Sequence, residues 1–112
     1  MRKLTIPALI ATTALLALPA LGGTASAAAI KLGDNFFSPS SKTIGAGTKV
    51  RFNWIGNRRH NVTKKRGPGG GFASATTRSD GVHFAKTFNK TGVYRLICTI
   101  HPKEMKLKLT VD

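Results

Sequence analysis

Apolar and polar residues alternate with a period of two along several short stretches of this chain, most regularly at its C-terminal end. Met105, Leu107, Leu109 and Val111 share one phase, with Lys106, Lys108 and Thr110 in the other. Successive side chains of a strand point to opposite faces, so this pattern predicts one buried and one solvated face. Val50, Phe52 and Trp54 alternate in the same way with Arg51 and Asn53, and Tyr94, Leu96 and Cys98 share a phase. Trp54 and Tyr94 are expected in the core, Tyr94 with its hydroxyl bonded to nearby backbone.

Turn residues separate these runs at Ser38-Pro39-Ser40, Gly45-Ala46-Gly47, Gly56-Asn57 and Lys90-Thr91-Gly92. Strands are expected at Ala29–Leu32, Lys42–Ile44, Thr48–Trp54, His60–Lys64, Val82–Phe88, Val93–Cys98 and Lys106–Val111. No segment keeps a helical period. About seven short strands with regular turns predict an all-β fold, a Greek-key β-sandwich or barrel. Lys64–Gly71 is the longest irregular stretch and is expected to be a flexible basic loop; no P-loop pattern follows its glycines.

The first 27 residues read as a secretory signal peptide, not as fold, with an uncleaved membrane anchor as the alternative reading of the same apolar stretch. Met1-Arg2-Lys3 is a positive start, an apolar stretch runs from Leu4 to Leu21, and Ala25-Ser26-Ala27 offers a cleavage site. Cleavage there leaves residues 28–112 as one small domain with no transmembrane segment, exported to a periplasmic, extracellular or cell-surface location. The chain has 18 basic and 4 acidic residues; without Arg2 and Lys3 the basic count is 16 and the charge +12. Such a field steers a protein toward acidic partners or an anionic cell surface. Nucleic acid is not an expected partner, because the chain is exported and its aromatics fall in strand alternation instead of forming stacking platforms. A monomer is expected.

A lone cysteine cannot form an internal disulfide, and in an exported protein it points to an intermolecular bridge or a functional thiol. Cys98 stands in Cys98-Thr99-Ile100-His101-Pro102-Lys103-Glu104-Met105, which places a thiol, an imidazole and a thioether within eight residues. Met105 is the only methionine besides Met1. Soft sulfur ligands with imidazole select copper, and a trigonal His₂Cys site with a weak axial Met is the blue-copper electron-transfer arrangement. His60 is available as the second histidine. Strand phase turns Met105 inward and Glu104 to solvent, so the thioether is favoured over the carboxylate. His83 is not expected to be a ligand.

The chain resembles the small blue-copper proteins, the cupredoxins of plastocyanin, pseudoazurin and amicyanin type. The resemblance rests on Asp34-Asn35-Phe36-Phe37-Ser38-Pro39, Val50-Arg51-Phe52-Asn53-Trp54, His60-Asn61-Val62-Thr63, and Gly92–Cys98 with the stretch that follows. It implies a Greek-key sandwich holding one type 1 copper ion, with His60, Cys98 and His101 as equatorial ligands and Met105 axial. It further implies that Asn61 ties the two ligand loops together and that His101, with Pro102 beside it, is the electron exit. Family loops usually place two or four residues between the second histidine and the methionine; here Pro102-Lys103-Glu104 makes three.

The expected function is an exported electron carrier that cycles Cu(II)/Cu(I) and is not an enzyme, since no acid–base pair or activated nucleophile is present. A copper carrier or buffer with the same ligands is the alternative. A metal-free exported domain that binds anionic polymers through its charge also remains open.

Overall fold

The computed structural model describes residues 26–112; apart from Ser26 and Ala27, the expected signal peptide lies outside them. Eight strands form: β1 Ala27–Gly33, β2 Phe36–Ser38, β3 Ser41–Ile44, β4 Thr48–Trp54, β5 Thr63–Arg66, β6 Gly81–Phe88, β7 Gly92–Ile97 and β8 Lys106–Val111. They make two four-stranded sheets, in the orders β2-β1-β4-β6 and β3-β8-β7-β5. β1 runs parallel to β4 and β3 parallel to β8, while the other neighbours are antiparallel. The fold is the β-sandwich that the alternation predicts.

The inward phases meet between the sheets. Ile30, Leu32, Val50, Phe52, Trp54, Leu96, Leu107 and Leu109 are buried there, with Cys98 and Met105 at one end. Partners in the opposite phase, such as Arg51, Lys106 and Lys108, are exposed. Aromatic rings close the open edge between β5 and β6. Phe72 stacks on Phe84 at 5.8 Å and meets Phe88 edge-on at 5.9 Å, and Phe88 meets Tyr94 at 5.1 Å.

Tyr94 is in the core as expected, and its hydroxyl donates to the Lys90 carbonyl at 2.7 Å. This bond ties the turn before β7 to the strand that leads to Cys98. A typical buried bond of this kind is worth about 1 kcal/mol net. Tyr94→Phe is therefore expected to lower the unfolding free energy by that much, read as a lower urea midpoint with the slope unchanged; an unmoved midpoint would show that the bond contributes nothing.

Three local expectations need correction. β2 has no counterpart among the expected strands, because it is only three residues long and buries Phe37 alone. The strand expected at His60–Lys64 begins later, at Thr63; His60 stands outside it, joined to Thr77 by an isolated bridge. The basic loop is also more ordered in structure than its composition implies. Its first part, through Arg66, belongs to β5, and the Lys64 ammonium gathers the carbonyls of Pro68, Gly69 and Gly70 at 2.6, 2.8 and 3.1 Å. Gly67 makes the turn at φ 133°, where a side chain would press on Tyr94.

Candidate metal centre

Two loops at one end of the sandwich carry the chemistry-bearing residues. The first, between β4 and β5, holds His60 and Asn61; the second, between β7 and β8, holds Cys98 and His101, with Met105 immediately before β8. The second loop is closed by its own backbone: Cys98 donates to Met105 at 3.1 Å, His101 to Cys98 at 3.1 Å and Met105 to His101 at 2.9 Å. With three residues between them, His101 and Met105 close one helical-type turn. That turn puts Met105 in the inward phase of β8, fully buried, and leaves Glu104 exposed.

Asn61 joins the two loops. Its side-chain carbonyl accepts the Thr99 N–H at 3.0 Å, and its amide donates to the Thr99 hydroxyl at 2.7 Å and the Thr76 hydroxyl at 2.9 Å. Its own backbone N–H points at Cys98 Sγ, 3.4 Å away. Trp54 fixes the same loop from the core, donating from Nε1 to the His60 carbonyl at 3.1 Å. His101 is half-buried between exposed Ile100 and Pro102.

Asp34, in the turn after β1, completes the arrangement, and nothing in the sequence singles it out as a partner of His60. Its carboxylate accepts the backbone N–H of Asn57 at 2.9 Å and of Arg58 at 2.8 Å, and lies 3.0 Å from His60 Nε2. Gly56 makes this approach possible, because a Cβ there would collide with Asp34 Oδ1. The Asn57 backbone bond, and next the His60 bond, hold the Asp34 carboxyl at about 2. The group is thus an ionised acceptor at any ordinary pH, and an ionised carboxylate has no proton to give.

His60 Nε2 must then be the donor, which leaves Nδ1 as the ring atom that offers a lone pair. Nδ1 faces Cys98 Sγ at 4.0 Å. Two ligands bound at about 2.0–2.1 Å (N) and 2.3 Å (S), lying 120° apart, are about 3.8 Å from each other, so this pair fits around one small ion. The His101 ring lies beside that of His60, centroid to centroid 5.3 Å. The structure brings His60 and Cys98 to ligand spacing, with His101 adjacent and Met105 buried in the same end. Among the described residues no three His, Cys, Asp or Glu side chains close into a cage by themselves. His83 stays apart on β6, its Nε2 within 2.8 and 3.1 Å of the Ser79 and Asp80 carbonyls.

A donor set of one thiol, two imidazoles and a thioether is soft and suits copper over hard cations. The family model described as copper binding proteins, plastocyanin/azurin family, matches residues 25–112. The chain belongs to this family. Copper, one ion, is accordingly its cofactor.

Solved structures of the same fold agree with that membership. An oxidized mutant of amicyanin superposes with a TM-score of 0.67 at 18% identity, covering 83% of this chain and 87% of its own. A purple cupredoxin from Nitrosopumilus maritimus gives a TM-score of 0.66 at 25% identity, with 76% of this chain and 99% of that one covered. A copper-containing nitrite reductase from Thermus scotoductus matches over 85% of this chain at 24% identity and a TM-score of 0.65, but over only 24% of its own length. The cupredoxin sandwich thus also occurs as one part of a larger enzyme. No curated protein sequence matches this chain significantly.

Proposed function

We propose that this plastocyanin/azurin-family protein is an exported electron carrier whose copper would be held by His60, Cys98, His101 and Met105. The observation that carries the reading is the convergence of His60 Nδ1 and Cys98 Sγ at 4.0 Å, with Nε2 turned away to Asp34. When bound, copper supplies a one-electron Cu(II)/Cu(I) couple. The residues supply positions that do not depend on the metal's charge. Asn61 clamps one loop to the other, Trp54 holds the His60 carbonyl, and the backbone bonds of residues 98–105 fix the second loop. Outer hydrogen bonds of this kind orient ligands and tune the metal.

His101 is the group through which a partner reaches the site, since it is half-exposed in the loop between exposed Ile100 and Pro102. The positive charge, +14 for the whole chain, favours an acidic redox protein as that partner. The domain carries electrons and transforms no substrate of its own.

Loading the protein with Cu(II) and cycling its oxidation state tests this. The carrier of electrons is expected to develop an intense visible thiolate-to-copper band and to show one reversible one-electron wave. It should also retain copper in both states against a Cu(I) chelator. Copper that leaves readily on reduction would instead make the protein a copper carrier, and a colourless protein with no affinity for copper would remove both readings.

A further inference from the structure

The solvent face of the β5-β7-β8 sheet carries a row of cations set directly opposite one another. Arg66 on β5 pairs in register with Arg95 on β7, and Arg95 pairs with Lys108 on β8. Like charges facing each other across strands oppose folding. Neighbouring strands lie about 4.8 Å apart, so the row spans about 10 Å. Lys65, unpaired at the bulge in β5, joins Lys103 and Lys106 around the same groove. All six are exposed, and no carboxylate lines the groove with them.

Among the described residues these cations form no ion pair. The only ion pair among those residues is His60 with Asp34, so Glu104, the one carboxylate in the adjoining loop, bridges to none of them. The groove also has a definite position. Pro102 of the ligand loop and Ile97, the residue before Cys98, both line it. A cationic surface that only kept the protein soluble would gain nothing from in-register repulsion or from adjoining the ligand loop.

We propose that this groove docks an acidic redox protein, whose carboxylates occupy the row Arg66–Arg95–Lys108 while its surface covers the loop at Pro102. The proposal rests on the electron-carrier reading for its choice of partner. Charge complementarity selects the carboxylate surface, and continuity with the ligand loop selects a redox protein over a passive polyanion.

The test uses cytochrome c with its lysines succinylated as the acidic probe. One electron passes from the Cu(I) protein to the ferric haem, giving the Cu(II) protein and ferrous haem. The unaltered protein should transfer fastest at low salt, with the rate falling as salt rises. Steering by such charge contributes about 10- to 1,000-fold to association rates. Arg95→Glu with Lys108→Glu should therefore lower the low-salt rate by at least about tenfold and flatten its salt dependence. Lys49→Glu with Arg51→Glu changes the net charge equally on the exposed face of β4, and should leave most of the rate intact. Equal loss in both double variants would overturn the proposal, since net charge alone would then account for the rate.

The milder Arg95→Gln with Lys108→Gln guards against a variant that fails to fold; it should lower the rate in the same direction. Backbone amide shifts on titrating copper-free protein with the same probe need no electron transfer. They should concentrate at residues 65–66, 95–97 and 102–108. Shifts there in a protein with no copper chemistry would uphold the surface and sink the carrier reading, whereas shifts elsewhere would overturn the surface alone. Binding through these residues to vesicles of equal phosphatidylglycerol and phosphatidylcholine, with no rate loss in the Arg95/Lys108 variants, would overturn the proposal in favour of a membrane.

Discussion

Cys98→Ser is expected to abolish the visible absorption of the copper-loaded protein completely and to remove most of the stabilisation that copper confers. The band requires sulfur, and Cys98 supplies the only thiol in the chain. A hydroxyl in its place is a hard, neutral donor and loses the thiolate's match to copper. The fold itself should tolerate the change. Cys98 is fully buried, but the Asn61 N–H that points at its sulfur from 3.4 Å can point at a serine oxygen instead. A buried hydroxyl with one partner costs about 1–2 kcal/mol, well below the effect on metal binding.

Thermal unfolding with and without copper separates the two effects. A ligand that binds only the native state stabilises it by mass action, about 4 kcal/mol at a thousandfold excess over its dissociation constant. The unaltered protein should thus melt far higher with copper than after stripping by a chelator, and the Cys98→Ser protein should melt nearly alike in both states. A persisting band, or an equal copper-induced shift in the variant, would show that the sulfur is not a ligand.

The sandwich is legible in the sequence because its strands each have one face in the core and one in water. Period two is written plainly in β4, β7 and β8, where burial alternates residue by residue. The pattern fails where burial does not alternate. His60, Asn61 and Val62 are all buried in succession, because their segment lies against Trp54, Ser74 and Thr77 as well as the second ligand loop. Such a segment has no strand period, so the expected start of β5 falls too early. β2 offers one buried residue, Phe37, too little for any period to register.

The candidate site is legible to the extent that its donors lie close in sequence. Cys98, His101 and Met105 fall within eight residues, and strand phase distinguishes Met105 from Glu104 without any structure. Asp34 has no such signal. It lies 26 residues from His60, and its approach depends on the missing side chain at Gly56 and on two backbone N–H groups. Backbone donors and empty space have no letter in a sequence, and both are products of the β1 and β4 strands lying side by side.

Asp34→Asn is expected to weaken copper binding by about 10- to 100-fold, the usual effect of losing a partner that orients a ligating histidine. The substitution keeps the shape of the side chain and one oxygen, so the N–H groups of Asn57 and Arg58 retain an acceptor. What it removes is the negative charge behind His60 and the certainty that Nε2 faces an acceptor, since the amide can also present its NH₂. A carboxylate bonded to the far ring nitrogen makes the near nitrogen a stronger donor, which favours the more highly charged oxidised metal. Its loss should therefore raise the reduction potential. In the copper-free protein, nitrogen NMR of the imidazoles should find the His60 proton on Nε2, strongly hydrogen-bonded, and in the variant that bond should weaken. Asp34→Glu should rescue poorly, because the longer chain cannot keep both the backbone bonds over Gly56 and the 3.0 Å reach to Nε2. If potential and affinity stay put in Asp34→Asn while the unfolding midpoint falls, Asp34 only fastens the turn at Asn57–Arg58 and does not set the direction of His60.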